Sequence, residues 1–513
     1  MAKPRLYNHT RFDGGMTHNN RDTADLTKSS FIAHLDIYRE NHRAYVMPGF
    51  VSDNGFDGSA TGLKAYDVRN FGDIGSSTLI YCLGTKLDGT GSKIFERDLT
   101  ESEWRVPTTL TAFAGEGTAD LIDHPFFWYD GSADFYYPVK NTTQTAVAKH
   151  GGNATGNYEP TWFATWLSTQ PSGTKAYTYN VKSFTGSEYL VKGGVASGIS
   201  LITSSTVTTN AKTTSLTPRT IASGDYNLGI FGVQNRPRES RGLIWDSASL
   251  LADQNVKLGA ETVYASGFPN NVYCTVGEAS PRAFETNGNS FMSVRAIMGE
   301  SAQLLYKLQA PTSTNQQITD LNDYYGNAML WYGRIPTNAA GSTFHQGIWG
   351  LGSGSASSQF GVSMLLDTTS LGLIERGKVF GSSMYFAHNS DGSVSRLDNF
   401  ETGTFDVPGY IETLFYGSDT PLLKQLEGVS VVTENLPVGG TVEVQYRTDE
   451  NAAFVSMGTS DTDDKQVHNF TKVAGVPIGK FREIQFKIIL TGKIALKSYL
   501  VSTTENDDLS FSV

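Results

Sequence analysis

Asn227-Leu-Gly-Ile-Phe-Gly-Val233 and Gly242-Leu-Ile-Trp-Asp246 are two apolar runs of strand length separated by the polar turn Gln234–Arg241. Pairs of the same kind recur along the chain. Thr78–Gly84 precedes Lys93–Asp98, Phe291–Met298 precedes Gln303–Leu308, Ala328–Arg334 precedes His345–Leu351, and Ser383–His388 precedes Ser393–Leu397. Less regular pairs stand at Phe126–Tyr129 with Asp134–Tyr137, and at Lys175–Val181 with Glu188–Val191. Each is an aromatic-rich run, a connection of Gly, Ser, Asn or Asp, and a second run. A β unit repeating about every 45–55 residues predicts the blades of a propeller. One blade cannot bury both of its faces, whereas a ring of blades can, and it leaves only short edges. The expected fold is therefore all-β: a propeller of about seven blades, or six if one weak unit is decoration.

Composition agrees. The chain has 513 residues, 53 of them Gly, with 12% aromatic and 18% charged side chains. That is material for many short strands and turns, in a chain longer than one ordinary domain. The net charge of −11 supplies no basic field for generic nucleic-acid binding. Cys82 and Cys274 are the two cysteines. Both lie in apolar strand-like runs and read as buried free thiols, which suits a reducing cytoplasm. The opening MAKPRLYNHT lacks the apolar centre of a secretory signal. No run approaches the ~18 apolar residues of a membrane span.

Four divisions are expected. Residues 1–30 are polar, carry Gly14-Gly15 among turn formers, and read as an extended arm that orders against a neighbouring subunit or the adjacent blade. Residues 31–407 form the propeller, with the alternating run FIAHLDIY (31–38) among its first strands. Ile202–Thr217 is an edge strand or a surface excursion, and Leu304–Asp320 holds a short turn of helix. After Asp406-Val-Pro-Gly409, six alternating runs within 408–504 predict a small antiparallel β-sandwich. Residues 505–513 are a tail.

Chemical motifs are few. There is no strand-to-helix GxGxxG, no GxxxxGK[ST], no HExxH and no GxSxG. His34 and His42, the closest histidine pair that could share a side of a strand region, lack ligand spacing. The loop from Asp53 resembles an EF-hand loop until its twelfth position, which is Lys64 where a bidentate Glu is needed. Asp461, Asp463 and Asp464 read as a solvated turn, with an ion site as the alternative. Trp104, Trp128, Trp162, Trp166, Trp245, Trp331 and Trp349 are expected between blades, with a sugar platform as the second use. No carboxylate pair stands out, and Ser52-Asp-Asn-Gly55 and Ser390-Asp-Gly392 lack the rest of a sialidase Asp box. The expectation is no enzyme, no catalytic, cofactor-binding or metal residues, and no cofactor.

Phe12-Asp-Gly-Gly-Met-Thr17 followed by Phe31-Ile-Ala-His-Leu-Asp-Ile-Tyr38 resembles the opening of propeller proteins from tailed bacteriophages. The blade pairs at 79–98 and 227–246 are similar to theirs. Ile411–Gly417, Lys424–Val429 and Val442–Asp449 resemble the sandwich that follows phage propellers, nozzle-type tail proteins included. The resemblance implies a structural virion protein of the tail, nozzle or tail tip, assembled in the host cytoplasm as a symmetric homo-oligomer. Its implied partners are neighbouring tail or neck proteins, with viral DNA passing unbound. Two other readings stay open: an adhesin binding host-surface glycans, and a propeller glycosidase.

Overall fold

A computed structural model describes residues 4–53 except 13, 18–20, 22 and 41, and residues 374–505 except 389–392, 418, 421 and 474. Between 66 and 371 it describes the strands and a few adjoining turn residues. Two compact units divide these residues: a repeat unit of 51–347 and 368–396, and a terminal unit of 1–50, 348–367 and 397–513. The terminal unit thus gathers segments that the sequence reading assigned to arm, propeller and sandwich.

In the repeat unit the chain turns back on itself strand after strand. Tyr66–Gly72, Leu79–Lys86, Ser92–Asp98 and Trp104–Arg105 form one antiparallel meander. Sheets at 128–151, 178–213, 216–258 and 261–310 repeat the pattern, and Ile318–Tyr324 pairs with Ala328–Pro336. Val207–Thr213 is the outermost strand of its sheet, so the Thr/Ser-rich stretch is an edge strand. Ser301–Ala310 and Ile318–Tyr324 are strands, and the helical turn expected within 304–320 falls on 311–317, which lie outside the described residues. No helix occurs among the described residues.

First strands of successive sheets pack side by side: 178–184 on 216–223, 216–223 on 261–268, 261–268 on 318–324, and 318–324 on 374–380. Ile374–Phe380 in turn packs on Tyr66–Gly72, which brings the last sheet against the first. This is a β-propeller. In five sheets the pairing of the first two strands slips by one residue early in the first strand, at Arg69, Arg219, Val263, Thr319 and Glu375. Such a bulge bends and twists the strand. Its return at equivalent places is a repeat in backbone geometry that side-chain identities do not display. Apolar side chains fill the spaces between sheets. Val191, Ile199, Ile221, Ile230 and Trp245 share one cluster; Ala222, Phe231, Ile244 and Ile297 share the next.

Closure has its own chemistry. The last sheet, 374–398, takes its outer strand from Phe50–Ser52, far away in sequence. Immediately after, Asp53 N–H donates to Val394 O at 2.9 Å on that sheet. Its carboxylate receives Arg97 Nε and Nη2, both at 3.1 Å, from the first sheet. Trp104 Nε1 donates to Asp53 O at 3.0 Å. Trp104, Tyr385, Phe95 and Val394 pack around the junction.

The terminal unit contains two sets of strands. In one, Val467–Phe470, Lys424–Thr433, Ala495–Glu505, Ala44–Val46 and Leu35–Asp36 lie in that order. Pro4–His9 also pairs with Ala495–Glu505, from Pro4 opposite Thr504 to His9 opposite Tyr499. In the other, Phe31–Ala33 lies between Gly361–Asp367 and Gly409–Glu412, followed by Gln485–Thr491, Thr441–Arg447 and Val455–Ser460. Alternate residues are buried, for example Val442 with Val444 and Ile488 with Leu490. Pro4–His9 of the arm thus pairs inside its own chain, with the last strand. The double glycine has a local reason: Gly15 has φ +63°, and a Cβ on it would strike the backbone of Gly361 and Val362.

The closure predicts a test. Asp53→Ala leaves Arg97, 3% exposed, without its carboxylate, and the expected loss is about 3–5 kcal/mol. Denaturant unfolding read by tryptophan fluorescence measures it; a loss below about 1 kcal/mol contradicts the role given to the pair.

Candidate functional site

The terminal unit holds a polar cleft of 650 Å³ between the turns 417–420 and 448–451, with Arg21 and Arg482–Glu483 on its walls. Arg21, from the N-terminal segment, reaches Glu483 through Nε at 3.0 Å and Nη2 at 2.9 Å, and Glu450 through Nη1 at 3.2 Å. Asp419 accepts from Arg5, whose Nε also lies 3.0 Å from Glu505. Asp449 Oδ1 accepts from Asn451 N–H. Three carboxylates of the cleft are therefore committed to arginines and the fourth caps a turn. An acid–base pair needs one carboxyl held protonated beside one held ionised. The geometry here fastens chain segments together.

Lys424 fixes the floor of this region. It is fully buried, and its Nζ donates to the backbone carbonyls of Gly417 (2.7 Å), Leu422 (3.1 Å), Thr420 (3.2 Å) and Arg482 (3.3 Å). Burial lowers its pKa. The ammonium acts as an internal cation that satisfies carbonyls which the irregular turn leaves without strand partners.

From the cleft a row of cations and rings crosses the sheet. Arg21 lies 5.1 Å from the Phe415 ring centre, and Arg447 lies 5.7 Å from Phe415 and 4.5 Å from Phe454. Lys487 Nζ sits 3.7 Å above Tyr410. Each contact contributes on the order of 0.5–2 kcal/mol. The sequence signal for this row was the alternation of Thr441–Arg447, which sets Glu443, Gln445 and Arg447 on one face. Which rings they would meet depends on strands paired only in the fold.

Beside the arm, His9 Nε2 stands 2.8 Å from Tyr416 Oη, and the imidazole stacks on Tyr499 with ring centres 4.2 Å apart. Burial lowers the His9 pKa to about 4, against a partial rise from its bond to the Leu26 carbonyl. The neutral ring belongs to the folded core.

The sequence candidates scatter. His34 is buried and His42 exposed, so they share no ligand set. Asp461, Asp463 and Asp464 lie in an exposed turn, with Asp464 at φ +60°. Among the described residues no three His, Cys, Asp or Glu side chains could hold a metal. Asp53, the first residue of the rejected calcium loop, is the closure carboxylate. Cys82 is buried and free, and burial pushes its thiol well up. Cys274 lies in the strand Val272–Ala279, its side chain outside the described residues. Trp104, Trp245 and Trp349 are buried in packing. Trp128 and Trp331 lie on strands whose side chains are outside the description, as are Trp162 and Trp166 altogether. The glycan platform thus gains no exposed tryptophan among the described residues. Nor does any helix among them have the length and apolarity to cross a membrane.

No protein-family model matches the chain, and no curated protein matches it. Among solved structures, hydrazine synthase of Kuenenia stuttgartiensis is similar with a TM-score of 0.42 and 10% identity, covering 67% of this chain and 99% of that one. The Dos1 propeller follows at 0.39 and 10%, covering 70% and 96%. The Nup133 β-propeller domain of Vanderwaltozyma polyspora stands at 0.37 and 9%, covering 70% and 98%. Likeness at this level carries no argument about chemistry.

Two measurements follow. Lys424→Met fills much the same space and removes the cage's donors; the expected cost is about 3 kcal/mol, and a melting temperature unchanged within error contradicts the cage. For pH, the unfolded His9 takes up its proton near 6.5 and the folded one only near 4. Its neutral, buried form therefore gives full stability above pH 6.5, lost progressively as pH falls toward 4, by about 3 kcal/mol in all. Unfolding midpoints measured between pH 7 and 4 should show this slope, and His9→Gln should reduce it, the remainder coming from His34, whose pKa burial also lowers to about 4.

Proposed function

We propose that this chain is a structural protein of a tailed-bacteriophage virion, in the tail, nozzle or tail tip. In this reading the repeat unit supplies a seven-bladed propeller, and the two strand sets of the terminal unit form a β-sandwich. Copies assemble through both into a symmetric ring, as closed homo-oligomers do, in contact with neighbouring tail or neck proteins. Assembly takes place in the host cytoplasm, viral DNA passes without specific binding, and the chain performs no catalysis.

One observation carries the proposal. The stretches that resemble phage proteins at the two ends of the chain, 12–17, 31–38, 411–417, 424–429 and 442–449, all belong to the terminal unit. Residues some 400 positions apart pair there strand to strand, as Pro4–His9 does with Ala495–Glu505. The parts of the resemblance that stand at the two ends of the sequence thus fall in one folded body. The use of buried charge supports the same reading: Asp53 with Arg97 and Lys424 in its cage serve rigidity, which a virion scaffold needs.

The test is assembly. Purified full-length chain should run as a discrete ring in light scattering and negative-stain images, and mass spectrometry of purified virions should find it. A monomer at all concentrations that is absent from virions sinks the proposal. Reducing-sugar release from host polysaccharide, abolished by a single Asp→Asn or Glu→Gln change, replaces it with the glycosidase.

A further inference from the structure

One residue carries the chain from one strand set of the terminal unit to the other. Phe31–Ala33 pairs beside Gly361–Asp367 and Gly409–Glu412, Leu35–Asp36 pairs with Ala44–Val46, and His34 stands between them. Its φ is +54°, a left-handed conformation that residues with a side chain rarely adopt. The backbone is tied on both sides: His34 N–H donates to Met364 O at 2.9 Å, and Met47 N–H donates to His34 O at 2.8 Å. Gly409 closes over it, since a Cβ there would lie 2.6 Å from His34 O.

Glycine would relax this corner, and asparagine is the next most tolerant residue. The imidazole has a separate use. Its Nε2 accepts the backbone N–H of Asp367 at 3.2 Å, which satisfies the end of the strand Gly361–Asp367. Accepting there assigns the ring proton to Nδ1. Nδ1 is buried and has no hydrogen-bond partner. The ring is thus held neutral by one accepted bond, and among the described residues nothing bonds to its Nδ1.

We propose that His34 is an acid-sensitive latch: protonation of the ring at Nε2 turns its accepted bond into a donor facing a donor, and releases the end of strand Gly361–Asp367 from the corner. No bond other than the N–H formed at Nε2 changes, and the proton comes from water. The charged and titratable groups around the ring are few. Asp367 favours protonation through its charge but is outweighed by burial, which lowers the His34 pKa to about 4. On the strand beyond, burial and the charges of Glu412 and Asp367 keep the Tyr410 hydroxyl protonated, and Lys487 Nζ lies 3.7 Å from the Tyr410 ring and 3.6 Å from Glu412. On the chain's own side, Asp36 is engaged by the N–H groups of Tyr38 and Arg39, and Tyr45 faces Phe400. The latch is therefore closed at neutral pH and opens as pH approaches 4.

Hydrogen exchange of full-length protein, corrected for intrinsic rates, tests it at single amides. Protection of the Asp367 amide should fall at least tenfold between pH 6.5 and 4.5, while Ile488, in the centre of its sheet, holds. In His34→Asn, which tolerates the corner and does not titrate, the Asp367 amide should show no such fall. In His9→Gln the fall should survive, which separates the latch from acid loosening of the whole unit. The proposal is overturned if Asp367 and Ile488 lose protection together in the wild type. It is equally overturned if His34→Asn keeps the fall. Should that variant not fold, the His34 ring resonances of the wild type decide: titration near pH 4 supports the latch, and titration near 6.5 refutes it.

Discussion

Asp53 and Arg97 meet as carboxylate and guanidinium out of water, and the closure of the ring rests on that contact. A meander of sheets leaves a free face on its first member and on its last. Those two faces can bury each other only if the chain supplies something that belongs to both. Here a segment from before the first sheet does so, with its strand and backbone on the last sheet and its carboxylate on the first. A buried ion pair is a costly way to gain stability. It is, however, intolerant of misalignment, so it sets one register for closure where apolar packing alone would accept several.

The same preference governs the terminal unit. Lys424 fills a cage of carbonyls, Arg21 makes a two-pronged bond to Glu483, and cations alternate with rings across one sheet. The Arg21–Glu483 bond and the Lys424–Arg482 bond join segments distant in sequence, so they lower the freedom of the chain where hairpins cannot.

Much of this was readable from the chain. Hairpins such as 228–234 with 240–245 follow from apolar runs and their connections, because a meander pairs neighbours and its signals are local. The double glycine at 14–15 announced a backbone with special needs, although not the strand end it leans on. The alternation of Thr441–Arg447 placed a sheet face but not its partners. The pairing of the arm and of the stretch 31–50 had no local signal. Pro4–His9 was read as polar and extended, and its pairing with the last strand joins residues that no local signal connects.

What the sequence by itself determined is the class of structure: short strands, meander connections and repetition, all set by patterns spanning a few residues. Tertiary structure alone decided the rest. It made Asp53 a closure residue instead of a loop carboxylate, buried His34 and exposed His42, and gave Lys424 four carbonyls. For Asp53 and His34 the environment comes from segments tens to hundreds of residues away, and for Lys424 a local turn is closed by the distant Arg482 carbonyl. Burial and hydrogen-bond partners are properties of that environment, and the same side chain in a different neighbourhood would be a solvated charge.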